Sequence, residues 1–162
     1  MSAMRRILLG VVLAAAAVVG TGEGARAVGA EVGVEAEADL AHHGHLSLWE
    51  GRMGVRLVSE NHGPSDVPQA TVRLAFSEAM AGGQVLPPSC LWASERVVVC
   101  RTGELRAAGA VEELVLDLRT AGSPDEVMVD IATIWSDGVA DGNALNDRHR
   151  VLVLATGDPY VF

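Results

Sequence analysis

Between Leu40 and Leu154 apolar and polar side chains alternate in short runs, the period of two that a half-buried strand imposes. Thr71–Phe76 is the clearest case, with Val72, Leu74 and Phe76 on one face and Thr71, Arg73 and Ala75 on the other. In Val111–Leu118, Leu114, Leu116 and Leu118 alternate with Glu113, Val115 and Asp117. His45–Trp49, Gly54–Ser59, Val97–Cys100 and Val151–Leu154 are shorter runs of the same kind, and a first strand is expected near Leu40. Val127–Trp135 carries two registers: Val127, Val129 and Ile131 mark one face, Ala132 and Ile134 the other, and a β-bulge would reconcile them. Turn chemistry separates the runs at Asn61–Asp66, at Pro87-Pro88, at Ala121–Asp125 and along the polar stretch Asp137–Asp147. About seven strands at intervals of roughly 8–15 residues predict an all-β fold, an immunoglobulin-like antiparallel β-sandwich around one core.

The N-terminus follows a different pattern. Arg5 and Arg6 precede an apolar run, Ile7–Val19, which ends in small and polar residues and Ala25-Arg26-Ala27. A basic start, a short apolar stretch and an A-x-A site form a secretory signal, and 13 residues are too few to span a bilayer as a helix. The expected organisation is a signal peptide over 1–27, an acidic arm over 28–37 and the sandwich domain over 38–162. No Cys follows the apolar run to take a lipid, and no second hydrophobic stretch appears, so no membrane span is expected after cleavage.

Charge narrows the partners. The chain has a net charge of −9 and all 12 of its basic residues are Arg. Beyond residue 27 it keeps 9 Arg against 20 acidic residues, a net −11. Such a surface repels nucleic acid and anionic lipid. The two cysteines, Cys90 and Cys100, flank a plausible turn at Ser94-Glu95-Arg96. In an exported chain an even count predicts a disulfide, here closing a hairpin.

Four stretches, in order, resemble one family. Asn61-His62-Gly63-Pro64-Ser65 resembles the N-x-G-P-S turn of the conserved-repeat domain of bacterial extracellular and surface proteins, the domain of unknown function numbered eleven. Cys100-Arg101-Thr102-Gly103-Glu104-Leu105, continuing to Gly109, resembles its C-x-x-G-x-L-x-x-G stretch, with one residue more before Gly109. Ala132–Asp137 and Asn146-Asp147 resemble its A-x-V-x-S-D and N-N ending, with Asp147 where a second Asn is usual and Asp130 where an Asn would stand. The resemblance spans about residues 38–155. It implies an immunoglobulin-like sandwich of an extracellular or wall-associated protein and no catalysis. The residues have physical roles of their own: Asn61 can bond backbone groups of its turn, Gly63 can adopt positive φ, Pro64 fixes φ, and Gly109 permits a tight bend.

Two clusters look chemical. His42, His43 and His45 could ligate Cu²⁺ or Zn²⁺, although on a strand His43 and His45 share a face that His42 does not. Asp137, Asp141, Asn143 and Asp147 offer the oxygen ligands that Ca²⁺ takes, without EF-hand spacing. No nucleophile-elbow, zincin or S-x-x-K motif is present. The sequence therefore predicts a secreted, non-catalytic binding or structural module acting on a protein or cell-envelope partner at the cell exterior, with a metal-binding exported protein as the alternative.

Overall fold

The computed structural model describes residues 36–109 and 111–162. The expected signal peptide and nearly all of the acidic arm lie outside the described residues.

Among the described residues eleven strands follow in chain order: β1 (Glu37–Ala38), β2 (Leu40–Trp49), β3 (Arg52–Asn61), β4 (Thr71–Phe76), β5 (Cys90–Ser94), β6 (Val97–Arg101), β7 (Glu112–Arg119), β8 (Glu126–Trp135), β9 (Ala140–Asp141), β10 (Arg148–Leu154) and β11 (Tyr160–Val161). Two antiparallel sheets hold all but two of them. One has the order β10-β8-β4-β6-β5 and the other β11-β2-β3-β7, while β1 and β9 form a small parallel pair. The chain changes sheets between β3 and β4, β6 and β7, β7 and β8, and β10 and β11. The predicted all-β sandwich is the fold observed.

Alternation builds the core. Leu46, Leu48, Met53, Val55, Leu57, Leu116 and Leu118 from the four-stranded sheet meet Val72, Leu74, Phe76, Val98, Val127, Val129, Ile131 and Val153 from the five-stranded sheet. Each is almost fully buried, and a side chain of this size contributes about 1.5–3 kcal/mol on burial. The two registers of β8 are resolved as a bulge: Val72 pairs with Thr133 and Thr71 with Trp135, leaving Ile134 as the extra residue. Residues before the bulge keep Val127, Val129 and Ile131 inside, whereas Ile134 and Trp135 are exposed.

Cys90 and Cys100 face each other across the β5–β6 hairpin with a Cα separation of 4.0 Å and form a disulfide. The turn falls at Glu95-Arg96, inside the predicted one. Three short strands escape the sequence pattern. β1 and β9 are two residues each and pair with one another, and β11 pairs Tyr160 with Leu46 across the expected tail. β10 also begins at Arg148, three residues before the expected strand.

Candidate functional site

The singled-out polar residues gather mostly at one pole of the sandwich. Here β2 begins, β3 ends, β8 ends and β10 begins, with the loops β3–β4, β6–β7 and β8–β10 above them. A small second core of Ala38, Leu40, Val67, Ala70 and Leu105 lies under these loops.

Asn61 organises the pole. Its Oδ1 accepts hydrogen bonds from the backbone N–H groups of Asp39 (3.2 Å) and Gly63 (3.0 Å). Its Nδ2 donates to the carbonyls of Ser65 (2.8 Å) and Leu105 (3.0 Å). A buried amide with two donors and two acceptor bonds is thereby satisfied by three separate chain segments. Gly63 needs correction. It is not among the glycines with positive φ, and what requires Gly is space, because a Cβ there would lie 2.5 Å from Ala38 C and Asp39 N. Pro64 lies in the exposed bend that follows. At Gly109, the N–H bonds the Arg106 carbonyl at 3.1 Å, and the left-handed residue of that bend is Ala108, with φ 45°.

The histidines separate. His42 faces inward while His43 and His45 face outward, and the intervening Gly44 has φ 151° and passes so close to Arg56 that a Cβ would lie 2.0 Å from its carbonyl oxygen. His43 reaches Glu60 at 3.5 Å, and His45 lies by Arg56, Val161 and Phe162. His42 bridges the two sheets: Nδ1 and the Ser59 hydroxyl of β3 are 3.0 Å apart, and Nε2 and the Thr133 hydroxyl of β8 are 2.8 Å apart. Its backbone N–H donates to the Asn146 carbonyl. Burial, then the nearby His149 and His43, lowers its pKa from 6.5 to about 4, so the ring is neutral at ordinary pH. His149 is far from His42 in sequence, but β10 brings it close; its Nε2 lies 3.2 Å from the Asn146 carbonyl.

The Asp137–Asp147 stretch is a loop with a strand inside it. Asp137 and Gly138 form a left-handed turn (φ 53° and 77°), and β9 then pairs with β1. The Asn143 N–H bonds Asp141 Oδ1 at 3.0 Å. Asn146, absent from the predicted ligand set, donates from Nδ2 to Asp39 Oδ1 at 2.8 Å. Among the described residues three buried side-chain oxygens accept no hydrogen bond: Asp141 Oδ2, Asn146 Oδ1 and Asp147 Oδ1. Asp147 is the deepest, with Arg148 Nε 3.5 Å from its Oδ1. Burial and then the charge of Asp141 push its carboxyl above the ordinary carboxylate range, with Thr133 and Arg148 pulling the other way. Among the described residues no group of three or more His, Cys, Asp or Glu side chains is placed to hold a metal.

A cleft of about 280 Å³ opens beside the pole between β3, β4, β6 and β7. Ser59, Thr102, Arg101 and Glu112 line it together with the Cys100 side of the disulfide. Ser59 therefore stands between this cleft and His42. Trp49 and Trp135 are exposed, but they lie at the ends of β2 and β8 at opposite poles and share no face. The Trp92 indole donates to the Gln84 carbonyl at 3.2 Å and packs against the core.

Ser59, Thr133, Asp39 and Asn146 were not predicted as site residues. Hydroxyls inside strands carry no local signal, whereas Asn146 is marked by the N-N ending of the resembled family. Among the described residues no helix is long and apolar enough to cross a membrane. No family model matches the chain, and no curated protein matches it significantly. Two solved structures share parts of its shape. A CARDB domain from Pyrococcus furiosus, solved in complex with di-metal ions, is similar at TM-score 0.45 and 15% identity over 72% of this chain and 87% of that one. A β-glucosidase 3B from Thermotoga neapolitana, solved with α-D-glucose, is similar at TM-score 0.41 and 12% identity over 77% of this chain and 17% of that one.

Proposed function

We propose that this chain is an exported, non-catalytic module that acts by binding or by structure at the cell exterior, in the manner of the conserved-repeat domain it resembles. The observation that carries the reading is how the pole uses its polar groups. All four hydrogen-bonding valences of Asn61 go to backbone, and both ring nitrogens of His42 go to hydroxyls, Ser59 within its own sheet and Thr133 across to the other.

The nearest approach to catalytic chemistry is the Ser59–His42 pair beside the cleft. An imidazole held to a pKa of about 4 is a poor general base at neutral pH, since an effective base titrates near the operating pH. A β-hairpin disulfide supports an oxidising compartment. The N-terminal pattern supports the route there, and a net −11 beyond residue 27 favours a soluble module that engages a protein or wall partner over nucleic acid or anionic lipid.

Cell fractionation with intact-mass analysis tests the reading. The expected product begins at Val28, is found in the medium or loosely on the wall, and weighs two hydrogens less than the dithiol. Protein with an intact N-terminus and two free thiols, retained in the cytosol, would overturn it.

A further inference from the structure

We propose that the loop between β9 and β10 binds one Ca²⁺ through Asp141 Oδ2, Asn146 Oδ1 and Asp147 Oδ1. The site goes beyond the exported-module reading and does not depend on it.

These three oxygens are buried, and each lacks a hydrogen-bond donor. A buried acceptor without a partner costs about 1–3 kcal/mol, so three within seven residues is an expense that a fold normally avoids. All three are acceptors, and a cation satisfies several acceptors at once. Asp147 gives the strongest indication. Its side chain is only 5% exposed, and the Arg148 guanidinium is ion-paired to Oδ1 at 3.5 Å without making a hydrogen bond to it. That guanidinium is 65% exposed and free to turn toward solvent when a metal arrives.

The donor set selects the ion. Two carboxylates and an amide carbonyl are hard oxygen ligands, and Ca²⁺ accepts such mixed, irregular sets, whereas Mg²⁺ demands near-ideal octahedral geometry. The rest of the loop is already fixed. Asp141 Oδ1 is held by the Asn143 N–H, which leaves Oδ2 free, and Asn146 Nδ2 is held by Asp39, which leaves its Oδ1 free. Asp137, Asn143 and the three histidines are not ligands here. A bound ion would tie β9 to the start of β10, and through the Asn146–Asp39 and Asn146–His42 bonds to the start of β2.

The test is calorimetric titration of chelator-treated protein with CaCl₂ and MgCl₂, alongside thermal melts. One Ca²⁺ per chain is expected, with a dissociation constant of about 0.1–1 mM as in extracellular modules. At about 10 mM Ca²⁺ the melting temperature should rise by roughly 5 °C, and Mg²⁺ should do much less. Asp141→Asn and Asn146→Ala should each weaken Ca²⁺ at least about tenfold while their circular dichroism stays that of the parent, and Asp158→Asn, in the exposed C-terminal turn, should bind as the parent does. No heat and no shift with Ca²⁺, an equal shift with Mg²⁺, or full Ca²⁺ binding retained in both Asp141→Asn and Asn146→Ala would each overturn the proposal. A melting temperature that rises on mild acidification but ignores Ca²⁺ would also overturn it, showing that a proton on Asp147 fills the place.

Discussion

Acid should weaken this fold through His42, by an amount the structure sets. In the unfolded chain the imidazole titrates near 6.5; folded, burial holds it to about 4. Between those values the unfolded state binds a proton that the native state refuses, so stability falls as pH falls through this window. A gap of about 2.5 pK units at 1.36 kcal/mol each gives about 3 kcal/mol, a large share of the 5–15 kcal/mol typical of a domain. Asp147 acts with the opposite sign. Its folded pKa is raised, so its protonation restores stability as pH falls through that value. His42→Gln separates the two, because it keeps a neutral donor and acceptor to offer Ser59 and Thr133 while it removes the titration. Urea denaturation at several pH values between 7 and 4 would measure both proteins. The variant should be less stable at pH 7 by about 1–2 kcal/mol, and the parent should lose about 3 kcal/mol relative to it by pH 4. A stability difference constant to within about 0.5 kcal/mol over that range would refute the buried neutral bridge.

Other outcomes follow from the same contacts. Asn61→Ala orphans two backbone N–H groups and two carbonyls and should cost about 3–5 kcal/mol by denaturant titration. Asn61→Asp should be no better, because it turns an oxygen toward the Ser65 and Leu105 carbonyls. Gly63→Ala should destabilise by about 1–3 kcal/mol, because its Cβ would press on the Ala38–Asp39 backbone; a neutral result would mean that the two segments do not touch. Replacing Cys90 and Cys100 together by Ser should lower stability by about 2–3 kcal/mol in the same assay, with the β-sheet circular dichroism retained.

The long strands were legible because they are half buried. Val72, Leu74 and Phe76 enter the core as their alternation requires, and the conflict of register in β8 announced its bulge. Cys90 and Cys100 could be paired from their spacing around a turn. β1, β9 and β11 could not be read, since two residues show no period and their partners lie far along the chain. At the pole, sequence spacing placed His42 opposite His43 and His45 but gave no sign that Thr133 would meet it. It also marked Asp137 and Asn143 as equals of Asp141 and Asp147. Only packing separates them, since it leaves Asp141 Oδ2 and Asp147 Oδ1 without donors while Asp137 serves a turn. Gly63 is required for space and not for a positive φ: the demand comes from a neighbouring segment, which local sequence does not reveal.

Asn61 and His42 tie the polar pole into the scaffold. Native-state amide hydrogen exchange tests it most directly. The N–H groups of Asp39, His42, Gly63 and Leu105, which donate to Asn61, Asn146, Asn61 and Val67 respectively, should exchange as slowly as those of the central strands β3 and β4, through global unfolding alone. Exchange at these four positions orders of magnitude faster than in β3 and β4 would show the pole opening by itself, and would contradict the account.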